Sequence, residues 1–383
     1  MSQIQENNSS AYVKHQSFAD FKTNSETEAQ VLKAMEGFEQ DIATQPKSYQ
    51  KEIITKALTE IKQNNSELFQ LHPNTIEELS RIDVNQWSDY FFYRYRYEMF
   101  PKRHEVDEYP PCIQVEPVSM CNYRCVFCYQ TDPVLTNPKN GHMGTMSVDL
   151  FKKIVDEAEG KIQAITLASR GEPLIHKNID QILAYMRGKF LASKMNTNAS
   201  LLNEKKAHAI LESELSTLVF SADSADEENY SKLRVKGDLT KVLKNVKMFY
   251  EIKEKHYPKS KMITRVSGVK VNDQQNINDM TSFWGDYVDQ VAFVQYNPWE
   301  NVYDSDLSSV KEPCSDLWRR MFIWWDGIMN PCDVDYRSDL KVANADSTSI
   351  SDAWLGEGYS NLRKKHLSQA RQQCQPCDRC QFT

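Results

Sequence analysis

Three cysteines, Cys121, Cys125 and Cys128, stand at a C-x3-C-x2-C spacing inside the stretch Met120–Asp132. Thiolates on so short a loop can converge on one metal centre. Three of them leave it one ligand short of the four that a structural zinc site or an ordinary ferredoxin-type [4Fe–4S] cluster takes. A cluster held this way keeps one iron free to bind a molecule that reacts. A second set lies near the end of the chain: Cys314 and Cys332, then Cys374, Cys377 and Cys380 in a C-x2-C-x2-C run. Four of these would close a site, and the pattern suits either zinc or an iron–sulfur cluster. Cys112 stands alone on an extended stretch and reads as a buried core thiol.

Such loops need regular elements to hold them. The chain has 383 residues, enough for two or three structural units, and its 40% hydrophobic content can fill a real core. From Cys112 onward extended and helical segments alternate. Strands are expected over Cys112–Val118, Ile162–Ser169, Phe190–Thr197, Thr217–Asp223, Lys261–Val271 and Val288–Tyr296. Helices are expected over Asp149–Glu159, Asn178–Arg187, Asn203–Glu212 with Asn203 as N-cap, a stretch running to about residue 256, and Asn276–Gly285. Six βα repeats imply a parallel sheet but are too few for a closed eight-fold barrel. The expected fold is therefore α/β, an open, partial (β/α)6 barrel over residues 106–296. In a barrel, chemistry gathers at the C-terminal ends of the strands, and the first cysteine loop follows the first strand directly.

The flanks differ from this core. Residues 1–105 read as a helical extension, with Ile54, Leu58, Ile61 and Leu68 at helical spacing. The first forty residues are polar enough to be partly disordered. Thr75 and Glu78 have the form of a capping box, and Trp87–Phe100 holds eight aromatics in fourteen residues, a docking stripe rather than a substrate wall. Residues 297–383 form a small cysteine-dependent module, with a hairpin around Asp326-Gly327 and a helix over Ser351–His366. A net charge of −7 argues against nucleic acid or an anionic membrane as partner, and no apolar run is long enough for membrane insertion. The first residues lack the basic region and apolar core of a signal peptide, so a cytoplasmic location is expected. Nine cysteines there point to metal or redox chemistry rather than disulfides.

The first cysteine loop, with Phe127 just before the third cysteine, resembles the radical S-adenosylmethionine (radical SAM) family. The resemblance implies a [4Fe–4S] cluster on Cys121, Cys125 and Cys128 that chelates S-adenosylmethionine through its open iron. Reductive cleavage would then give methionine and a 5′-deoxyadenosyl radical, which takes a hydrogen atom from the substrate. Phe127 and the backbone near Tyr129 would lie beside the adenine. Leu167–Leu174 resembles the family's G-G-E-P segment, which holds the methionine amino group; Gly171, Glu172 and Pro173 are in place, but Arg170 replaces the first glycine. Met195–Ala199 resembles the T-N-G segment, with Asn198 kept and Ala199 where glycine is usual. Ser221 and Asp223 fall where the family contacts the ribose or the carboxylate, and Arg234 is placed to pair with that carboxylate as a charged fork.

The C-terminal cysteines resemble SPASM/twitch extensions, which bind auxiliary clusters. The full SPASM pattern has seven cysteines; five imply one auxiliary [4Fe–4S] cluster, on Cys314, Cys332, Cys377 and Cys380, with Cys374 as an alternative ligand. An auxiliary cluster in this position implies an electron acceptor, hence a radical SAM oxidoreductase served by a reductase such as a flavodoxin or ferredoxin, or else a structural role. The expected substrate is a carbohydrate-type or other small molecule, because the helical extension lacks the pattern of a winged-helix leader-binding domain. Maturation of a ribosomally made peptide stays open, as does a non-catalytic structural zinc protein. No general base is singled out.

Overall fold

The computed structural model describes residues 12–13 and 22–382. Four helices build its N-terminal part: α1 (Ser25–Thr44), α2 (Tyr49–Ile61), α3 (Pro73–Arg81) and α4 (Trp87–Arg103). Of the first forty residues, expected to be partly disordered, residues 1–11 and 14–21 lie outside the described ones. From Ser25 on the chain is helical: Asn24 caps α1, and Phe38 stacks on Phe91 of α4 with centroids 5.4 Å apart. The capping-box reading of Thr75 and Glu78 is corrected. Pro73, with its preset φ, opens α3 two residues earlier, Thr75 is buried within it, and Glu78 accepts from the Tyr90 hydroxyl at 2.5 Å. Helix α4 docks the extension as the aromatic stripe suggests. Trp87, Phe91, Tyr95 and Phe100 fill the core between helices, while Tyr93 packs on Cys112 and Ala164.

Those two residues begin strands. Six parallel strands lie side by side in chain order: β1 (Cys112–Val115), β2 (Ala164–Leu167), β3 (Ala192–Thr197), β4 (Thr217–Ser221), β5 (Ile263–Lys270) and β6 (Gln290–Gln295). Helices α5 (Val148–Ala158), α6 (Ile179–Met186), α7 (Glu204–Glu212), α8 (Glu227–Leu233), α9 (Leu239–His256) and α10 (Ile277–Trp284) return the chain. Asn203 caps α7 by accepting from the Lys206 amide. Alternation along the strands sorts the two faces. Ile113, Ile165, Met195, Leu218, Val266 and Val291 join the core with Phe151, Ile182, Ile210 and Val246 of the helices. The alternate positions, among them Gln114, Thr166, Lys194 and Asn196, face the concave side and make a polar lumen. The expected (β/α)6 core is therefore present, each strand slightly shorter than its apolar run.

Residues 297–382 add strands to the same sheet. β7 (Arg320–Ile323) pairs parallel to β1, with Arg320 opposite Cys112 and Ile323 opposite Val115. The chain turns at Asp326-Gly327, where Gly327 takes φ +82°, and returns as β8 (Ile328–Asn330) and then β9 (Ala343–Asn344). β6 and β9 are the two sheet edges, so the barrel stays open. The expected helix over Ser351–His366 breaks at Gly356 into α11 (Ile350–Leu355) and α12 (Glu357–Leu367). A Cβ at Gly356 would lie 2.6 Å from the Asp352 carbonyl. Among the described residues no helix is long and apolar enough to cross a membrane.

Candidate metal centres and active site

The loop after β1 carries the first three thiols, all free. Two devices fix it. Gln130 donates to the carbonyls of Ser119 (2.7 Å) and Arg170 (2.5 Å). Arg124–Cys125 forms a short antiparallel ladder with Arg234–Val235, and the Val126 amide donates to the Leu233 carbonyl. Burial pushes all three thiols up, Cys121 to about 12. The thiolates also oppose one another: Cys125 acts on Cys121, and both act on Cys128, while Arg234 favours ionisation of all three. Among the described residues no three His, Cys, Asp or Glu side chains come close enough to hold a single metal ion. Three soft donors that feel each other across a gap, and that need added positive charge to ionise, fit a multi-iron cluster, in which each thiolate binds a different iron.

Beside them the strand ends interlock. A Cβ at Gly171 would lie 2.2 Å from the Val118 carbonyl oxygen and 2.6 Å from that of Met120, so only glycine lets this turn lie against the cysteine loop. The Glu172 amide donates to Met120 O. Its carboxylate is buried and accepts from Thr197 Oγ1 (2.6 Å), the Asn198 amide (2.7 Å) and the Leu174 amide (3.1 Å). Burial pushes that carboxyl up, and these three donors oppose it. Pro173 opens the short turn that follows. Asn198 Nδ2 donates to Asn122 Oδ1 (3.0 Å) and lies 3.9 Å from Cys121 Sγ. Asp223 is fully buried. It accepts from the Val269 amide at 2.7 Å and ion-pairs with Arg234 Nε at 2.5 Å. Burial works against the Arg234 charge, but Asp223 and Cys125 outweigh it and hold the guanidinium protonated. Arg234 Nη1 stands 3.7 Å from Cys125 Sγ, and its guanidinium carbon 5.7 Å from the Phe127 ring centroid. Ser221 closes β4, half-buried. Tyr129 rests on the ring of Tyr336 at 5.1 Å. Thus the β2, β3 and β4 ends and Arg234 meet at the loop, with Glu172, Asp223 and Arg234 already engaged within the protein.

The second group draws on three stretches. The charge of Cys332 is opposed by Cys377, Cys314 and Cys380, and that of Cys377 by Cys314, Cys374 and Cys380. No other cysteine ranks among the influences on Cys374, which is buried in the core, or among those on Cys380, so the alternative of Cys374 as a ligand stays open. Arg371, also buried, donates to the carbonyls of Cys377 (3.1 Å), Cys380 (2.9 Å) and Glu312 (3.1 Å) and ties the tail down. His366 Nδ1 accepts from the Cys314 amide at 3.2 Å; burial and Arg371 hold the imidazole neutral, at about 4, and its buried Nε2 has no protein partner. Thiols that oppose one another's charge, beside an orphan donor, fit a second cluster.

Three features escaped the sequence. Arg170, where glycine was expected, forms a buried bidentate pair with Glu116 (2.6 and 2.8 Å), donates to the Tyr336 carbonyl and lies over Trp324. It bolts the barrel to the C-terminal module. Asp333, next to Cys332, is half-buried; burial and Asp316 push its carboxyl up to about 6, while Arg320 and a hydrogen bond from Gln114 oppose the shift. Lys194 faces the lumen from β3. No motif marks these residues, since each acts through partners distant in sequence.

Comparison with known proteins agrees with this geometry. Residues 115–275 match the family model of the radical SAM superfamily, and residues 314–381 match that of the SPASM iron–sulfur cluster-binding domain. GTP 3′,8-cyclase of Clostridium botulinum is 28% identical over 193 residues, 49% of this chain and 56% of that protein. The chain thus spans about half the length of such curated relatives. Among solved structures, SuiB of Streptococcus suis bound to precursor peptide SuiA superposes with a TM-score of 0.55 at 15% identity, over 90% of this chain and 85% of that one. BtrN in complex with AdoMet and 2-DOIA superposes with a TM-score of 0.50 at 16% identity, over 73% and 95%. At these identities the likeness is one of fold.

Proposed function

Because the chain belongs to the radical SAM superfamily and ends in a SPASM iron–sulfur cluster-binding domain, we infer that it is an oxidoreductase acting on a carbohydrate-type or other small polar molecule. When bound, the first cluster with S-adenosylmethionine supplies a 5′-deoxyadenosyl radical for hydrogen abstraction, and the auxiliary cluster supplies an electron acceptor. The carrying observation is that both thiol groups border one apolar cluster. Cys128, Cys332 and Cys380 all pack against the cluster formed by Tyr129, Leu135, Val302, Tyr303, Val334 and Tyr336. Two redox centres would then flank one lumen.

The chain's own residues have definable tasks. Cys121, Cys125 and Cys128 hold the first cluster, and Cys314, Cys332, Cys377 and Cys380 the second. Asn198 and Arg234 aim donors at the first set of sulfurs, which tunes the thiolates. Phe127, the backbone near Tyr129 and the Gly171–Pro173 turn form the bed for S-adenosylmethionine, together with Asn198 and Ser221. Glu172, Asp223 and Arg234 hold that bed in register through the bonds described above. Gln114, Thr166, Lys194 and Asn196 give the lumen polar walls, which suit a hydroxylated substrate. A flavodoxin- or ferredoxin-type reductase in the cytoplasm would supply the electron.

Peptide maturation is the second reading. It is favoured by the superposition on peptide-bound SuiB, which covers more of this chain than BtrN does. The test is anaerobic reconstitution followed by reduction with S-adenosylmethionine present. About eight irons per chain, two clusters of four, and release of 5′-deoxyadenosine are expected. Bound zinc in a colourless protein, or no 5′-deoxyadenosine after prolonged incubation, overturns the reading.

A further inference from the structure

The loop that carries Cys121, Cys125 and Cys128 lies at the end of the sheet where the strands finish. At the other, where the strands begin, a cavity of about 1,020 Å³ opens between the barrel and the N-terminal helices. Its inner wall is lumen surface, including Thr166, Lys194, Arg265 and Arg320, and Tyr93 and Tyr97 of α4 form its floor. The volume suits a small molecule.

The charge is the unusual feature. Lys194 lies in register with Thr166 on one side and Thr217 on the other, inside a half-buried ring of side chains. Among the described residues its ammonium makes neither an ion pair nor a hydrogen bond. Burial pushes the ammonium down to about 8, and the guanidinium groups of Arg320 and Arg265 add to this, while Cys112 and the Glu78 carboxylate oppose it without pairing with it. Arg320 shares one carboxylate, Asp316, with Arg319 and donates to the Tyr97 hydroxyl. The carboxylates that line it are already engaged: Asp83 with Lys261, Glu214 with Arg187, Glu78 with the Tyr90 hydroxyl, Asp89 with Gln50 and Glu212 with the Tyr257 hydroxyl. An uncompensated cation in a roomy enclosed space is costly unless something anionic visits it.

We propose that this chamber binds an oxyanion group, phosphate or carboxylate, of a small molecule, with Lys194, Arg265 and Arg320 as the recognising residues. Asn198, at the first thiol group, lies four residues on from Lys194, about 13 Å at 3.3 Å per residue. An anionic group held here therefore sits at the far end of the lumen from the radical chemistry. As the anchor of the substrate's remote end, this rests on the function proposed above; as an anion site, it stands alone.

Isothermal titration of the full chain with inorganic pyrophosphate and with citrate tests it, because the readout does not depend on cluster loading or turnover. Saturable binding of at least one anion is expected, and the tighter of the two identifies the group. Lys194→Met should weaken it tenfold or more, the scale of one charge-assisted hydrogen bond, and Lys194→Arg should largely retain it. Without ligand, Lys194→Met should melt higher than wild type by about 3 °C or more, because it removes a repelled cation. No saturable binding of either anion, equal affinity in Lys194→Met, or a lower melting temperature for that variant overturns the proposal. Failure of this kind leaves 5′-deoxyadenosine formation, and the function read from it, untouched.

Discussion

The two thiol groups are built on opposite plans. The first hangs three cysteines on one loop and surrounds them with polar strand ends; Asn198 and Arg234 point donors at its sulfurs. The second collects four from residues 314, 332, 377 and 380 and ties their backbone with Arg371 and His366. Three donors beside a polar bed leave room for a reacting ligand, whereas four donors with their carbonyls bound complete a closed centre. On the function proposed above, the difference would separate a site of chemistry from a site of electron storage or support, although both touch the same aromatic cluster. Cys121→Ala against Cys377→Ala is the sharpest way to break this contrast. The first should abolish 5′-deoxyadenosine formation to background. The second should keep cleavage measurable while impairing turnover or solubility. Equal loss of cleavage in both would show that the two centres do not divide the work.

The join between the regions comes next in size. Arg170 and Glu116 are both buried, and removing one partner strands the other charge. Arg170→Gly restores the glycine usual at this place in the family and should cost about 3–5 kcal/mol in urea unfolding, with Glu116→Gln in the same chain recovering part of it. A loss below about 1 kcal/mol would mean that the C-terminal module is held elsewhere.

Legibility followed sequence distance. The first cysteine loop, six strands and the Asn203 cap were readable because spacing, period and cap chemistry are local properties. The start of α3 was misread because Pro73 outranked a plausible capping box. The addition of β7 to the edge of β1 was invisible, since pairing of Arg320 with Cys112 spans over two hundred residues and leaves no periodic trace. Arg170 read as a departure from a motif, and only its distant partners, Glu116 and Tyr336, show what it does. Lys194 looked like one more strand residue until the guanidinium groups of β5 and β7 were placed against it.

The lumen offers a second contrast, between its thiol end and its cationic floor, and pH separates them. Lys194 is held near 8 against an ordinary 10.5; burial is the main cause, Arg320 and Arg265 add to it, and Cys112 and Glu78 oppose the shift. Between those values the unfolded chain binds the proton and the folded chain does not, so stability should rise with pH from about 8 toward 10.5. Below 8 both states hold it and the penalty is full, up to about 3 kcal/mol. Lys194→Met should therefore be the more stable protein at pH 7, with its lead over wild type shrinking toward pH 10. A lead that does not change with pH would show that Lys194 is not strained in the fold.

The smallest effect tests how closely the first site follows its family. Ala199 stands where glycine is usual and adopts φ +58°, which for an L-residue costs roughly 1–2 kcal/mol. Its methyl is also fully buried among core residues, which is worth about 0.8 kcal/mol, and glycine would lose roughly 0.5–1 kcal/mol more in backbone freedom on folding. Strain relief and the two losses nearly cancel, so Ala199→Gly should change unfolding free energy by less than about 0.5 kcal/mol and leave cofactor cleavage intact. That balance explains why this turn tolerates alanine. The Asn198 amide still donates to Glu172, and Ser200 still braces Asn198 Oδ1, because neither bond uses the side chain of residue 199. A loss of 2 kcal/mol or more on urea unfolding would instead make the Ala199 methyl a packing support for the turn that carries Asn198.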